Sequence, residues 1–425
     1  MRYVNFEKLE TKSGMTIYLM DLPFTNTVAA GVLVKAGTRD ENWPEEAGLA
    51  HALEHMVYLG TEKFPESESL NSYLEDVGGS GEAWTDKESM FFYNRVPAKE
   101  KERAFVSLGE IINKPLFPEK EILTEAKNIL EEIKMYKDQP YEYLSEELVL
   151  PIIFGDHPGS RIIAGTEKSV KSFRQPDFLR FKEKFLHPAN FTFIIAGNID
   201  DDDAIKLVEE NFPGSKIKPE NTRKIQAAEP NQKNVFIYKK ELNQTNLMLA
   251  APISGSRERS TDALKLFSTM ISGGSSFPLY QEIRNQHGLC YDINSDVDKM
   301  TDAGMFYIYI GTDPESYKQA IDLSLEIIEK NKNNKNLLER AKKIQIGKLI
   351  MDFENTDQII NLAATDIIEK GEPKNYKSLK QEIESISIKE IEEAVNAFLT
   401  PDKIKQIILT PKEKPVQNPN QDGKS

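Results

Sequence analysis

Two runs of apolar and β-branched residues open the chain, "MTIYLMD" (15–21) and "TVAAGVLVKAG" (27–37), and their composition predicts sheet strands. The apolar stretch "GLAHALEHMVYLG" (48–60) has helical spacing, with titratable residues gathered on one side. A second helical pattern, "SESLNSYLEDVG" (67–78), stops at Gly78 and Gly79, and "EAWTDKESMFFYNRV" (82–96) reads as two further strands. Longer helices are expected over Glu119 to Lys137 and Gln175 to Phe185. The buried strand "FTFIIAGNI" leads into "DDDDAIKLVEENF", whose aspartates suit a helix amino terminus. No alternating ligand pattern follows them, so capping is preferred to calcium binding.

The stretch from Pro213 to Asn234 is polar, rich in Pro and Asn and without an apolar period, which marks a linker. After it the pattern begins again. "NVFIYKKE" and "TNLMLAAPISG" match the opening pair of strands, "STDALKLFSTMISGG" takes the place of the first helix, and "LCYDINSDVD" with "AGMFYIYIGT" matches the next pair. The expected architecture is α+β: two related units, residues 1–212 and 235–411, each an antiparallel-rich sheet with helices packed on it. Residues 412–425 are expected to form a disordered tail.

Composition narrows the function. A chain of 425 residues with 39% hydrophobic content supports more than one core. A formal charge of -14, with no cluster of Lys and Arg, argues against nucleic acid as a partner. The single cysteine, Cys290, forms no intrachain disulfide and reads as a buried small hydrophobe in a reducing compartment. The first twenty residues have neither an apolar signal region nor the Arg-rich, acid-poor character of a transit peptide, and no run reaches the 18 apolar residues of a membrane span. A cytoplasmic protein without membrane contact is expected.

The histidine stretch carries the chemistry. His51 and His55 stand one helical turn apart and Glu54 lies on the same face. With 5 His and 68 acidic residues in 425, a His-x-x-acid-His match arises by chance about 0.01 times per chain. H-x-x-E-H is the inverzincin signature, and two histidines leave a catalytic zinc site short of a third ligand. In "TEAKNILEEIKMYKDQP" the apolar stripe is Ala126, Ile129, Leu130 and Ile133, with Tyr136 beside it. Glu125 and Glu132 are seven residues apart and share one edge of that stripe, about 20 degrees from each other. Glu131 points away beside Lys127 and Lys134, so Glu132 is the ligand candidate and Glu125 a group that orients an imidazole.

"GLAHALEHMVYLGTEKFP", "TEAKNILEEI", "HPANFTFIIAGNI" and "GGSSFPLYQEIRNQHGLCYDI", in this order, resemble the M16 metallopeptidases, the family of pitrilysin, the insulin-degrading enzyme and the mitochondrial processing peptidase. The size resembles the half-length members. The resemblance implies two homologous domains in a half-shell, and one zinc ion per chain held by His51, His55 and Glu132. It further implies Glu54 as general base acting on zinc-bound water, Glu125 as support, and a peptide substrate. It gives Arg284 and Tyr291, in "LYQEIRNQHGLCYDINS", contact with the substrate backbone; on residue type alone they would be a surface arginine and a core tyrosine. Because that pair lies in the second unit, the resemblance also implies a homodimer or pairing with a homologous subunit, each site being completed by the facing chain.

Substrate is expected to add as a strand along "GGSGEAWTDKESMFFY". There Glu82 stands where family members usually have Asn, which suggests extra negative charge near the cleft and a bias toward basic residues at the bond cleaved. His157 and His187 precede prolines and read as loop or capping residues, and His287 is left open beside the Arg and Tyr pair. "SGGSSF" lacks phosphate-binding spacing. The function expected is a zinc-dependent endopeptidase. The alternatives are a noncatalytic scaffold or partner subunit of the same family, and a processing peptidase dedicated to one precursor.

Overall fold

The computed structural model describes residues 5–214, 223, 226, 228–230 and 234–412, so most of the expected linker and nearly all of the expected tail lie outside the described residues. The strands of the first half are β1 (Glu7–Glu10), β2 (Thr16–Asp21), β3 (Thr27–Val34), β4 (Ser80–Thr85), β5 (Met90–Pro97) and β6 (Phe191–Gly197). They form one sheet in the order β1-β2-β6-β3-β5-β4, antiparallel except for the parallel pair β2 and β6. The second half supplies β7 (Val235–Tyr238), β8 (Thr245–Ser254), β9 (Cys290–Lys299), β10 (Ala303–Thr312) and β11 (Lys405–Thr410), in the order β7-β11-β8-β10-β9, with β7 and β11 parallel. Each sheet thus ends in a hairpin whose outer strand, β4 or β9, is an edge. The repeat read from the apolar pattern is this shared plan.

Alternation along the strands decides which face each residue serves. In the first sheet Val32, Phe92 and Phe193 point toward the helices of their own half, including Leu49–Met56 and Glu119–Asp138, which contribute Leu53, Met56, Ile129 and Ile133 to that core. The opposite face presents Leu33, Phe91 and Ile194. It is covered by helix Thr356–Lys370 of the second half, through Ile359, Ile360, Ala363 and Ala364. The exchange is reciprocal: Leu144, Leu150, Ile153 and Phe154 of the first half cover Met248, Met305, Tyr309 and Ile407 of the second sheet. Neither sheet could bury both faces with its own helices alone, so the two halves pack as one body.

Charged groups reinforce that packing. Arg39 donates to both carboxylate oxygens of Asp302 and to Glu88, each at 2.8 Å. Glu88 also accepts from the backbone N–H (2.8 Å) and the hydroxyl (2.6 Å) of Thr301. His157 is buried and its Nδ1 accepts from the Gly159 N–H at 2.9 Å, a capping role, while its Nε2 lies 3.4 Å from Asp302. His187 precedes the short helical turn Pro188–Asn190 without capping it through its side chain. Asp200 caps helix Asp201–Asn211 by accepting from the Asp203 N–H at 2.9 Å. Cys290 is buried at the start of β9. Among the described residues no helix is long and apolar enough to cross a membrane.

Candidate metal centre

The helix Leu49–Met56 has only eight residues, too few to persist alone. Two features hold it. Gly48 precedes it at φ 84, and a side chain there would meet the Ala164 carbonyl oxygen at 2.6 Å. Glu41, buried, accepts from the Gly48 and Ala50 N–H groups at 3.0 Å each, a carboxylate cap on the positive end of the helix. Burial nevertheless pushes the Glu41 carboxyl up to about 8, against those two hydrogen bonds.

Leu49, Ala50, Ala52, Leu53 and Met56 are buried in the core, which turns His51, Glu54 and His55 toward helix Glu119–Asp138 and strand β4. His51 Nε2 and His55 Nε2 are 3.2 Å apart, and Glu132 Oε1 lies 3.7 Å from His51 Nε2. His55 Nδ1 is 2.7 Å from Glu125 Oε1, and Asn128 in turn donates to Glu125 Oε2 at 2.9 Å. By accepting the Nδ1 proton, Glu125 leaves the Nε2 lone pair of His55 facing the gap shared with His51 and Glu132. Glu131 is exposed and pairs with Lys134 at 2.6 Å, away from the cluster. Glu54 accepts from the Thr85 hydroxyl of β4 at 2.6 Å.

The donor set fits zinc. Two ligands about 2.05 Å from a tetrahedral zinc stand roughly 3.3 Å apart, close to the spacing of the two imidazole nitrogens, and His, His and Glu is a catalytic zinc ligand set. His51, His55 and Glu132 form the cluster of possible metal ligands among the described residues. Electrostatics separates the two imidazoles. Burial and the neighbouring His55 lower the pKa of His51 to about 4. For His55 burial also disfavours charge, but the Glu125 hydrogen bond and the surrounding carboxylates outweigh it and the pKa is raised. The same bond lowers the pKa of Glu125, whereas burial raises that of Glu54 against the Thr85 hydrogen bond.

The cluster opens on a cavity of about 550 Å³ between the two halves, with Asp298, Met305 and Tyr307 of the second half on its far side. Six carboxylates line it, Glu54, Asp86, Glu132, Glu142, Glu146 and Asp298, against one lysine, Lys87, whose ammonium is turned onto the Arg161 carbonyl. Asp298 is open to the cavity yet ringed by protein, and that enclosure, with Asp86 nearby, pushes its carboxyl up to about 6. Sequence reasoning found the cluster but missed Thr85, Asn128 and the lining carboxylates Asp86, Glu142, Glu146 and Asp298.

Residue type alone would bury Tyr291, but it is 80% exposed at the start of β9, with the Arg284 guanidinium 5.0 Å from its ring and 4.6 Å from that of Tyr280. Arg284 and Tyr291 are brought together, but neither lines the cavity of its own chain, and His287 beside them is exposed. Glu82 does not face the histidines. It pairs in register with Tyr93 and shares a face with Trp84, the face covered by helix Thr356–Lys370, and its carboxylate accepts from the Tyr93 hydroxyl at 2.5 Å.

Comparison with known proteins agrees with this architecture. The family model described as Insulinase (Peptidase family M16) matches residues 16–167, and that described as Peptidase M16 inactive domain matches residues 172–345. An uncharacterized zinc protease of Rickettsia bellii is 30% identical over 392 residues, covering 91% of each chain. One of Bacillus subtilis is 28% identical over 92% of this chain and 95% of its own. Among solved structures, a protease from Helicobacter pylori superimposes with a TM-score of 0.85 at 18% identity, covering 96% of this chain and all of that one. The peptidase M16 inactive domain protein from Pseudomonas fluorescens gives 0.85 at 19% identity over 97% of this chain and all of its own. The relatives named zinc proteases support a peptidase-like role. With an M16 model matched to each half in turn and a relative 30% identical over 91% of the chain, the chain belongs to peptidase family M16, as a member of the half-length type.

Proposed function

We propose that this chain is a zinc-dependent endopeptidase that hydrolyses peptides or small unfolded polypeptides, with His51, His55 and Glu132 as ligands of one zinc ion and Glu54 as general base. The observation that carries the reading is the convergence of two imidazole nitrogens and a carboxylate oxygen, 3.2 and 3.7 Å apart, beside a half-buried carboxylate that is not one of the three. Zinc in such a site activates water near neutral pH and polarises a carbonyl. Glu54, held by Thr85, takes the proton of the attacking water and passes it to the departing amine as the C–N bond breaks. Glu125 keeps His55 in its tautomer.

The peptide is held by main-chain pairing along β4, an exposed sheet edge whose last residue, Thr85, already touches Glu54. The carboxylate-lined cavity supports a preference for basic side chains flanking the bond cleaved. Arg284 and Tyr291 contact substrate backbone from a facing chain of a cytoplasmic homodimer. The test is zinc-loaded protein incubated with a mixed peptide pool and read by mass spectrometry beside Glu54→Gln. Cleavage that disappears in the variant with zinc retained is expected. Absence of both cleavage and zinc uptake in the wild type would turn the reading toward a noncatalytic scaffold.

A further inference from the structure

Each of two groups in the metal cluster has a partner on its outer side. For His55 it is Glu125, itself held by Asn128. For Glu132 it is Tyr136, whose hydroxyl donates to Oε1 at 2.5 Å. The two residues are four apart on helix Glu119–Asp138, one turn, so the contact follows from the helix itself. The Tyr136 ring is half-buried against the first core, which fixes where its hydroxyl stands. The oxygen it binds is the one 3.7 Å from His51 Nε2. A carboxylate oxygen has two lone pairs, and the phenol occupies one and leaves the other for a ligand shared with the histidines.

We infer that Tyr136 is a positioning residue for the metal centre: its hydroxyl holds the Glu132 carboxylate in the orientation that presents a single oxygen to the two histidines. The inference rests on the reading of His51, His55 and Glu132 as ligands. Glu132 stands at the cavity wall with 21% of its side chain exposed. Without the phenol, that carboxylate is free to swing into the cavity or to present both oxygens. The ring of Tyr136 packs on the core and its hydroxyl faces the cavity, so removal of the oxygen alone separates positioning from packing.

The experiment is Tyr136→Phe in the full chain, with zinc affinity measured by competition against a chromophoric chelator. A loss of about 10- to 100-fold is expected, the usual effect of removing a group that orients a ligand. The melting temperature of the metal-free protein should be unchanged. Cobalt(II), used in place of zinc, should show a changed visible spectrum in the variant, because its bands report coordination number and geometry. In a Glu132→Gln background the same Tyr136→Phe change should have no further effect on zinc affinity. Zinc affinity within twofold of wild type together with an unchanged cobalt spectrum would overturn the inference, as would an effect that persists without the Glu132 carboxylate. If the wild type itself takes up no zinc, the metal-centre reading falls and this inference with it.

Discussion

Thr85 and Glu54 are joined by a hydrogen bond of 2.6 Å that links the edge strand β4 to the helix of the histidines. One residue lies where a peptide would pair and the other is the carboxylate proposed to move the proton. Burial raises the Glu54 pKa and the Thr85 hydroxyl opposes that rise by stabilising the charged form. Thr85→Val keeps the shape and removes the donor. Glu54 must be ionised to accept a proton, so the acidic limb of the kcat/KM profile is expected to move to higher pH by about one unit. Rates at pH 6 should then fall further than rates at pH 8. An unmoved acidic limb would show that the hydroxyl does not tune Glu54.

Zinc affinity is expected to depend on pH in two stages. The metal-free His51 titrates near 4, whereas the His55 pKa is raised above its ordinary 6.5. Between about pH 4 and the ordinary imidazole value of 6.5, His55 carries a proton that zinc must displace and His51 does not. One proton is released per zinc over that range, and the logarithm of the affinity rises by about one per pH unit. Below about pH 4 both imidazoles are protonated and the slope steepens toward two. Titration calorimetry in two buffers of different ionisation enthalpy counts the protons directly. Release of two protons at pH 5.5 would contradict the unequal environments of the histidines.

The pair Arg39 and Asp302 joins the halves with side chains only 3% and 2% exposed, so solvent screens it little. Burial works against the Asp302 charge, but hydrogen bonds from His157 and Arg39 outweigh it and hold the carboxyl well below its usual range. A depressed carboxylate pKa stabilises the folded state fully above the unfolded value, about 3.9, and that contribution is lost as pH falls toward the folded value. Asp302→Asn is therefore expected to cost about 3–5 kcal/mol at pH 7, because Arg39 stays buried with part of its compensation gone. The difference from wild type should narrow below about pH 4. Urea unfolding at both pH values measures this, and a cost under about 1 kcal/mol at pH 7 would remove the pair from the account of how the halves are held.

The cluster of possible metal ligands was legible in sequence because its parts are local: His51, Glu54 and His55 lie within five residues, and the choice of Glu132 over Glu131 follows from angles on one helix. Thr85, Asn128 and Glu41 left no such trace as supports. The Thr85 and Glu41 contacts join separate segments, and an Asn three residues after a Glu is unremarkable on any exposed helix face. The two sheets were visible as a repeat, but the exchange of helices between halves was not, since Ile359 and Phe154 look like any residues of an apolar stripe. Glu82 shows what alternation along a strand can settle. Alternation puts it with Trp84 and sets Ala83 and Thr85 on the other face, while the carboxylates that line the cavity beside the histidines, Asp86, Glu142 and Glu146, carry no pattern that marks them.

The place of Arg284 and Tyr291 sets the last prediction. Asp298, near the far end of β9, reaches the cavity, while Tyr291 is seven residues away along the same strand, about 23 Å at the usual rise. On the proposed reading, an arginine and tyrosine so placed serve the metal centre of a facing copy, with the site built from one chain's histidines and another's Arg284. Glu54→Gln and Arg284→Ala homodimers should then each be inactive or nearly so. In a two-fold dimer, a heterodimer of the two variants has one site with both defects and one with neither. Random mixing makes half the dimers heterodimers, so about a quarter of wild-type activity should return. Native mass spectrometry establishes the mixed dimer and peptide cleavage reads the recovery. Mixed dimers without recovery would mean that each chain works with its own Arg284 or without it, and the 23 Å along β9 would have to be closed by movement within one chain.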